Sequence, residues 1–205
     1  TTDEVKSIIK EMYYKLKRAG FKVTLIKCDG AFRSIETFIN EDLESEVNFC
    51  NPGEHVPQAE RNIRTLKDRS RIIYHQCPFN RLPRVMVLTL GEVGADDMNM
   101  YPAKNGVSRQ YSPRNIVDKK EIDYDMIKIP KFSYVLAHDD SLNTKNTMKE
   151  RAIDAIYLQP NDNRQGGHIC MNLNTGQLIR RKYVTKIPIT PSVIRQVHDL
   201  ALAED

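Results

Sequence analysis

The run Phe21-Lys-Val-Thr-Leu-Ile-Lys-Cys28 constrains this chain more than any other segment. It is rich in β-branched and aromatic residues and ends at Asp29-Gly30, the pattern of a buried strand closed by a turn. Before it, Val5, Ile8, Ile9, Met12, Tyr13 and Leu16 recur at helical spacing. Thr1 and Glu4 have the spacing of a capping box, and Gly20 stops the helix. After it, Arg33 to Leu43 has the pattern of a short helix and Glu46 to Cys50 that of a short strand. A buried strand between helices needs both faces covered, so the first half is expected to form an α/β layer. Asp29 then stands at the carboxyl end of its strand.

Asn51-Pro52-Gly53 is a turn, and Pro57 opens a helix reaching about Gln76, because a proline loses nothing in the first helical turn. Ala59, Ile63, Leu66 and Ile73 form its apolar side. Glu60, Arg64, Lys67 and Arg71 fall at i, i+4, i+7 and i+11 and share a different face. A further helix is expected from about Leu82 to Met100. The next stretch, containing Pro102, Gly106 and Pro113, lacks a period and reads as a linker. Four strand candidates follow, Phe132–Ala137, Ala152–Leu158, His168–Leu173 and Leu178–Thr185, with turns at Asn161–Gly167 and Asn174-Thr175-Gly176. Short strands at this spacing suggest a small barrel. Thr190-Pro191 starts a last helix with Val193, Ile194, Val197 and Leu200 on one face.

Charge is clustered rather than spread. From Glu36 to Glu54 there are six acidic residues and no Lys or Arg; from Ala59 to Arg84 there are seven basic and two acidic residues. Five basic residues lie between Gly176 and His198. Such segments fit a nucleic-acid partner, although a solvated basic face explains them equally well. No apolar run approaches the roughly 20 residues of a membrane helix. Cys28, Cys50, Cys77 and Cys170 form no CxxC pair and no zinc-finger spacing with histidine, so free thiols in a reducing compartment, nucleus or cytoplasm, are expected.

Two carboxylates carry the sharpest chemical possibility. Asp29 ends a strand and Glu60 lies in the first turn of a basic helix. Brought together, they can hold a divalent metal through oxygen, and paired metals stabilise the attacking and leaving oxygens of a phosphodiester displacement. Spacing alone leaves other roles open: Asp29 can cap the next turn, and Glu60 can pair with Arg64. His55 precedes Glu60 by five residues, and His138 adjoins Asp139-Asp140; both read more simply as loop residues. Arg180-Arg181-Lys182 sits on a candidate strand, where outward members can touch phosphate or merely face water. Gly166-Gly167 is a hairpin turn, with no helix start behind it to bind phosphate.

The segment Gln58-Ala59-Glu60-Arg61-Asn62-Ile63-Arg64-Thr65-Leu66 resembles the helix bearing the catalytic glutamate of copia-type retrotransposon integrases. Cys28-Asp29-Gly30-Ala31-Phe32 resembles the segment around that family's second catalytic aspartate. Downstream, Tyr101-Pro102-Ala103 and Ser112-Pro113-Arg114 resemble the join to the next domain. Phe132–Val135, Arg151–Leu158, Gly166-Gly167-His168 and Asn174-Thr175-Gly176 look like the SH3-like domain that follows. The resemblance implies a partial RNase H-like core over 1–101, a linker over 102–129, a small SH3-like β-barrel over 130–190 and a C-terminal helix over 191–205. It implies a polynucleotidyl transferase whose Asp, Asp, Glu triad is represented by Asp29 and Glu60. These two would be the catalytic and metal-binding residues, with Mg²⁺ or Mn²⁺ as cofactor. Arg61, Arg64, Lys67 and Arg71 would hold DNA backbone, which supplies affinity without reading sequence. A homo-oligomer is also expected by resemblance, and no membrane partner. No residue here matches the first aspartate, so the chain alone is not expected to be catalytically competent. Val56-Pro57 stands where the family has Asn-Gly, thirty residues separate Asp29 from Glu60, and there is no tryptophan. A non-catalytic nucleic-acid-binding remnant of a decayed element is the alternative.

Overall fold

A computed structural model describes residues 1–51, 56–104, 106–122, 127–139, 148, 150–163 and 166–204. The chain is a mixed helix and sheet protein whose contacts divide it into two compact units. One unit comprises residues 1–65 and 98–122, the other 66–97 and 123–205. Residues 66–97, grouped by sequence with the segment 1–101, therefore cluster with the later sheet.

In the first unit, α1 (Thr2–Arg18) begins at the expected capping box: Thr1 accepts from the Glu4 N–H, and the Glu4 side chain returns to the N-terminus. Strand β1 (Leu25–Asp29) pairs in parallel with β2 (Glu46–Cys50), Asp29 opposite Cys50. Parallel pairing requires a crossover, and residues 30–45 supply it. They form a 3-10 turn at Gly30–Ile35 and a π turn at Phe38–Asp42 instead of the single helix expected over Arg33–Leu43. The winding changes along the segment, yet it buries Ile35, Ile39 and Leu43 with Cys28 of β1. Val5, Ile9 and Tyr13 of α1 pack on the same cluster. Among the described residues β1 and β2 pair with no further strand, and Leu25 is 44% exposed. Helix α2 (Pro57–Gln76) has the expected bounds, and its first turns belong to this unit. Helix α3 (Arg84–Met100) follows, and within the expected linker Ser112 caps a short helix α4 (Pro113–Asp118). Lys15 of α1 pairs with Asp118 at 2.7 Å.

The second unit is built on a five-stranded antiparallel sheet: β3 (Tyr134–His138), β4 (Ala152–Pro160), β5 (His168–Asn172), β6 (Leu178–Arg181) and β7 (Val184–Lys186). Their order is β6-β5-β4-β3-β7, an open ladder with β6 and β7 at its edges. The single strand expected over Leu178–Thr185 is thus two, serving opposite edges. That split has a geometric consequence. Arg181 and Val184 are three residues apart, a reach of about 10 Å. Flat strands in this order would place the two edges about 19 Å apart, at about 4.8 Å per step. The sheet must therefore curl strongly, and a register shift between Tyr157 and Gln159 in β4 assists the bend. The inner face packs on itself: Val135, Ala137, Ala155, Tyr157 and Cys170 cluster with Ile179 of β6 and Val184 of β7. The outer face, with Ile156, Leu158, Met171 and Leu173, packs on Phe79, Met86 of α3 and Val193 and Val197 of α5 (Pro191–Leu202). Thr190 caps α5 as expected by accepting from the Val193 N–H.

Candidate functional site

The folding of the first unit brings Asp29 and Glu60 to one pocket of about 520 Å³. Asp29 reaches it as the last residue of β1. Its backbone occupies the cap position of the following 3-10 turn, but its side chain makes no capping hydrogen bond. The simplest alternative role for this carboxylate is therefore not the one it plays. Glu60 reaches the pocket from the first turn of α2, where its N–H bonds the Val56 carbonyl at 3.1 Å. A carboxylate there is favoured by the helix dipole, whose positive end it faces. Ile9, Ile26 and Ile63 supply apolar wall, and Lys27, Asp29 and Glu60 are exposed.

Lys27 lines the same pocket and was not singled out from the sequence. The signal was present: residues two apart on a strand share a face, so Lys27 accompanies Asp29. Cys28 and Cys50 also line it. Burial, and then Cys50 beside it, push the Cys28 thiol up from its ordinary value, so it stays protonated near neutral pH and is a poor metal ligand. The hard oxygens of Asp29 and Glu60 are the better donors. Two carboxylates suit Mg²⁺ or Mn²⁺, which retain waters and take remaining ligands from a substrate's phosphates. Among the described residues, no group of three or more His, Cys, Asp or Glu side chains could hold a metal.

Of the basic residues expected on DNA, Arg61, Arg64, Lys67 and Arg71 are all exposed on α2. Arg71 is engaged, donating to Asp68 at 2.9 Å. An exposed pair of this kind is weak, so a phosphate can compete for it. Ile63, expected on the apolar side, is 51% exposed and reaches only the pocket wall. His138 is committed to the sheet, its Nε2 sharing a 2.8 Å hydrogen bond with the Thr185 hydroxyl. His55 and Asp140 lie outside the described residues. Arg180 is exposed on the edge strand β6, whereas Arg181 is half-buried. Gly166 and Gly167 have positive φ of 73° and 118°, as a hairpin turn demands. All four cysteines are free. No helix is long and apolar enough to cross a membrane among the described residues. No protein-family model matches the chain, and no curated protein matches it.

Proposed function

We propose that this chain is the later part of an integrase of the copia type, a nucleic-acid-binding protein contributing two carboxylates to metal-dependent phosphodiester transfer. The observation that carries the proposal is the convergence of Asp29 and Glu60, with thirty residues between them in sequence, on one pocket. Strand-end aspartate and first-turn glutamate are the two positions at which the sequence resembles the family. When bound, Mg²⁺ or Mn²⁺ held by Asp29 and Glu60 would stabilise negative charge on the reacting phosphate oxygens. Arg61, Arg64 and Lys67 are exposed on α2 and would bind backbone phosphates.

The architecture supports the finer fold assignments. Among the described residues, a parallel pair β1–β2 with an exposed Leu25 fits a partial RNase H-like core, because parallel sheets are normally larger and covered on both faces. Five short strands curled so that consecutive β6 and β7 serve opposite edges fit a small SH3-like barrel left open at one seam. A second reading, a DNA-binding remnant without metal chemistry, rests on the exposed basic residues of α2 alone.

The binding half of the proposal is tested by fluorescence anisotropy with a labelled DNA duplex across a salt series. Affinity should fall steeply with salt. Replacing Arg61, Arg64 and Lys67 with Ala should each reduce the slope of log affinity against log salt by about one. Absence of binding, or affinity indifferent to salt, would contradict it.

A further inference from the structure

We infer that Tyr183 is a stacking platform for the bases of single-stranded nucleic acid, set on a basic edge of the second unit's sheet. The inference goes beyond the function proposed above, because it uses neither Asp29 and Glu60 nor the α2 cations.

From Asn163 to His198 the sequence has six basic residues and no Asp or Glu. That stretch supplies β5, β6 and β7, three of the five strands. Within it, Arg180-Arg181-Lys182-Tyr183 runs off the end of β6 into the turn before β7. Arg180, Lys182 and Lys186 are exposed. Arg181 is half-buried and makes no ion pair among the described residues. Its guanidinium donates to the Arg180 carbonyl at 3.0 Å, and its Nε is buried without a partner. Asp139 adjoins this edge just past β3, where His138 donates its N–H to the Tyr183 carbonyl at 3.1 Å. Arg180, Lys182 and Lys186 outnumber that carboxylate, so the edge favours an anionic strand.

Tyr183 sets this edge apart from an ordinary charged one. Edge strands carry Lys and Arg to prevent pairing with other chains. That accounts for the cations but not for an aromatic ring exposed among them. Tyr183 is 55% exposed, and Lys182 Nζ stands over its ring, 5.0 Å from the centroid. The contact orients the ring at the surface and places positive charge beside it. A ring that accepts any base, next to cations that meet the phosphates, is the combination by which proteins hold single strands. A duplex keeps its base faces stacked on one another, so the ring serves an unpaired strand.

The test is titration of the full chain into a single-stranded DNA oligonucleotide carrying aminopurine, and into the same strand annealed to its complement. Wild type is compared with Tyr183→Ala, Tyr183→Phe and Arg180→Ala, each checked for folding by circular dichroism. Wild type should bind the single strand and quench the aminopurine, whose fluorescence falls on stacking. Tyr183→Ala should weaken single-strand binding about tenfold and abolish the quenching, while Tyr183→Phe keeps both. Arg180→Ala should keep the quenching and lower the salt slope by about 0.7. Photocrosslinking of a bromouracil-substituted strand to wild type needs no variant and should map to Tyr183; adducts confined to other residues would overturn the inference. If Tyr183→Ala binds and quenches like wild type, or loses duplex and single-strand affinity equally, no base stacks there and the inference fails. Weakened duplex binding by Arg64→Ala in that case leaves the proposed function standing alone. If single-strand binding depends on Tyr183 while Arg64→Ala changes nothing, the inference stands and the α2 interface fails. If wild type binds no nucleic acid, both fail.

Discussion

Asp29 and Glu60 are separated along the chain by a crossover and the strand β2, yet each could be located from its immediate neighbours. A β-rich run ending in Asp-Gly placed Asp29 at a strand end, and Pro57 placed Glu60 in a first helical turn. Lys27 was equally accessible through strand alternation, but a lysine in an apolar run reads first as an edge residue. The exposure of Ile63 was not accessible, because the helical period shows which residues share a face and not what that face meets. A different residue offers a test of the electrostatics in the second unit. The Tyr134 hydroxyl donates to Asp154, and this bond, with burial and the Asp154 charge adding to it, pushes its pKa up from 10 to about 12. A folded-state value above the unfolded one means a stabilising contribution that is complete below about pH 10 and disappears as pH rises through 12. Tyr134→Phe should cost about 1 kcal/mol at pH 8, modest because the pair is open to water. The wild type should lose that advantage between pH 10 and 12. Denaturant titrations at several pH values check this, and a pH-independent difference would count against it.

Elements were legible where a single local signal defined them. The capping box of α1, Pro57 at the start of α2 and Thr190-Pro191 at the start of α5 mark helix starts that the structure reproduces. Elements that depend on distant partners were not. Leu178–Thr185 reads as one strand because its composition is uniform; only the opposite edges of the sheet divide it into β6 and β7. Gly94 is another such case, a glycine inside α3 with no local reason to be there. A Cβ at this position would lie 2.9 Å from Leu66 Cδ1 and 3.1 Å from Ser70 Oγ. The Ser70 hydroxyl also donates to the Leu90 carbonyl at 3.1 Å, so α2 and α3 approach closely along this line. Gly94→Val should therefore destabilise the second unit by roughly 1–3 kcal/mol through overpacking, despite valine's ordinary tolerance in helices. Gly91→Val, three residues away and facing open space, is the control and should cost less. Equal melting temperatures for the two variants would mean that α2 and α3 are not packed as described.

At the scale of the whole molecule, the sequence revealed an α/β half and a strand-rich half, but not that residues 66–97 join the second by contact. The reason is that α2 spans both units: a helix has one period along its length, while its partners change at about Leu66. The chain carries a net charge of +4, too small to identify a nucleic-acid partner alone. The proposal rests instead on arrangement within the first unit, where Arg61 and Arg64 are exposed on α2 and Asp29, Glu60 and Lys27 line one recess. The central claim is that those carboxylates jointly hold a divalent metal in the presence of nucleic acid. The most direct measurement is Mn²⁺ titration of the full chain with a DNA duplex, followed by electron paramagnetic resonance of free Mn²⁺, for wild type, Asp29→Asn and Glu60→Gln. Protein-dependent Mn²⁺ binding that either substitution weakens at least tenfold is the expected result. Mn²⁺ binding unchanged by both substitutions, or none beyond that of DNA alone, would contradict the account.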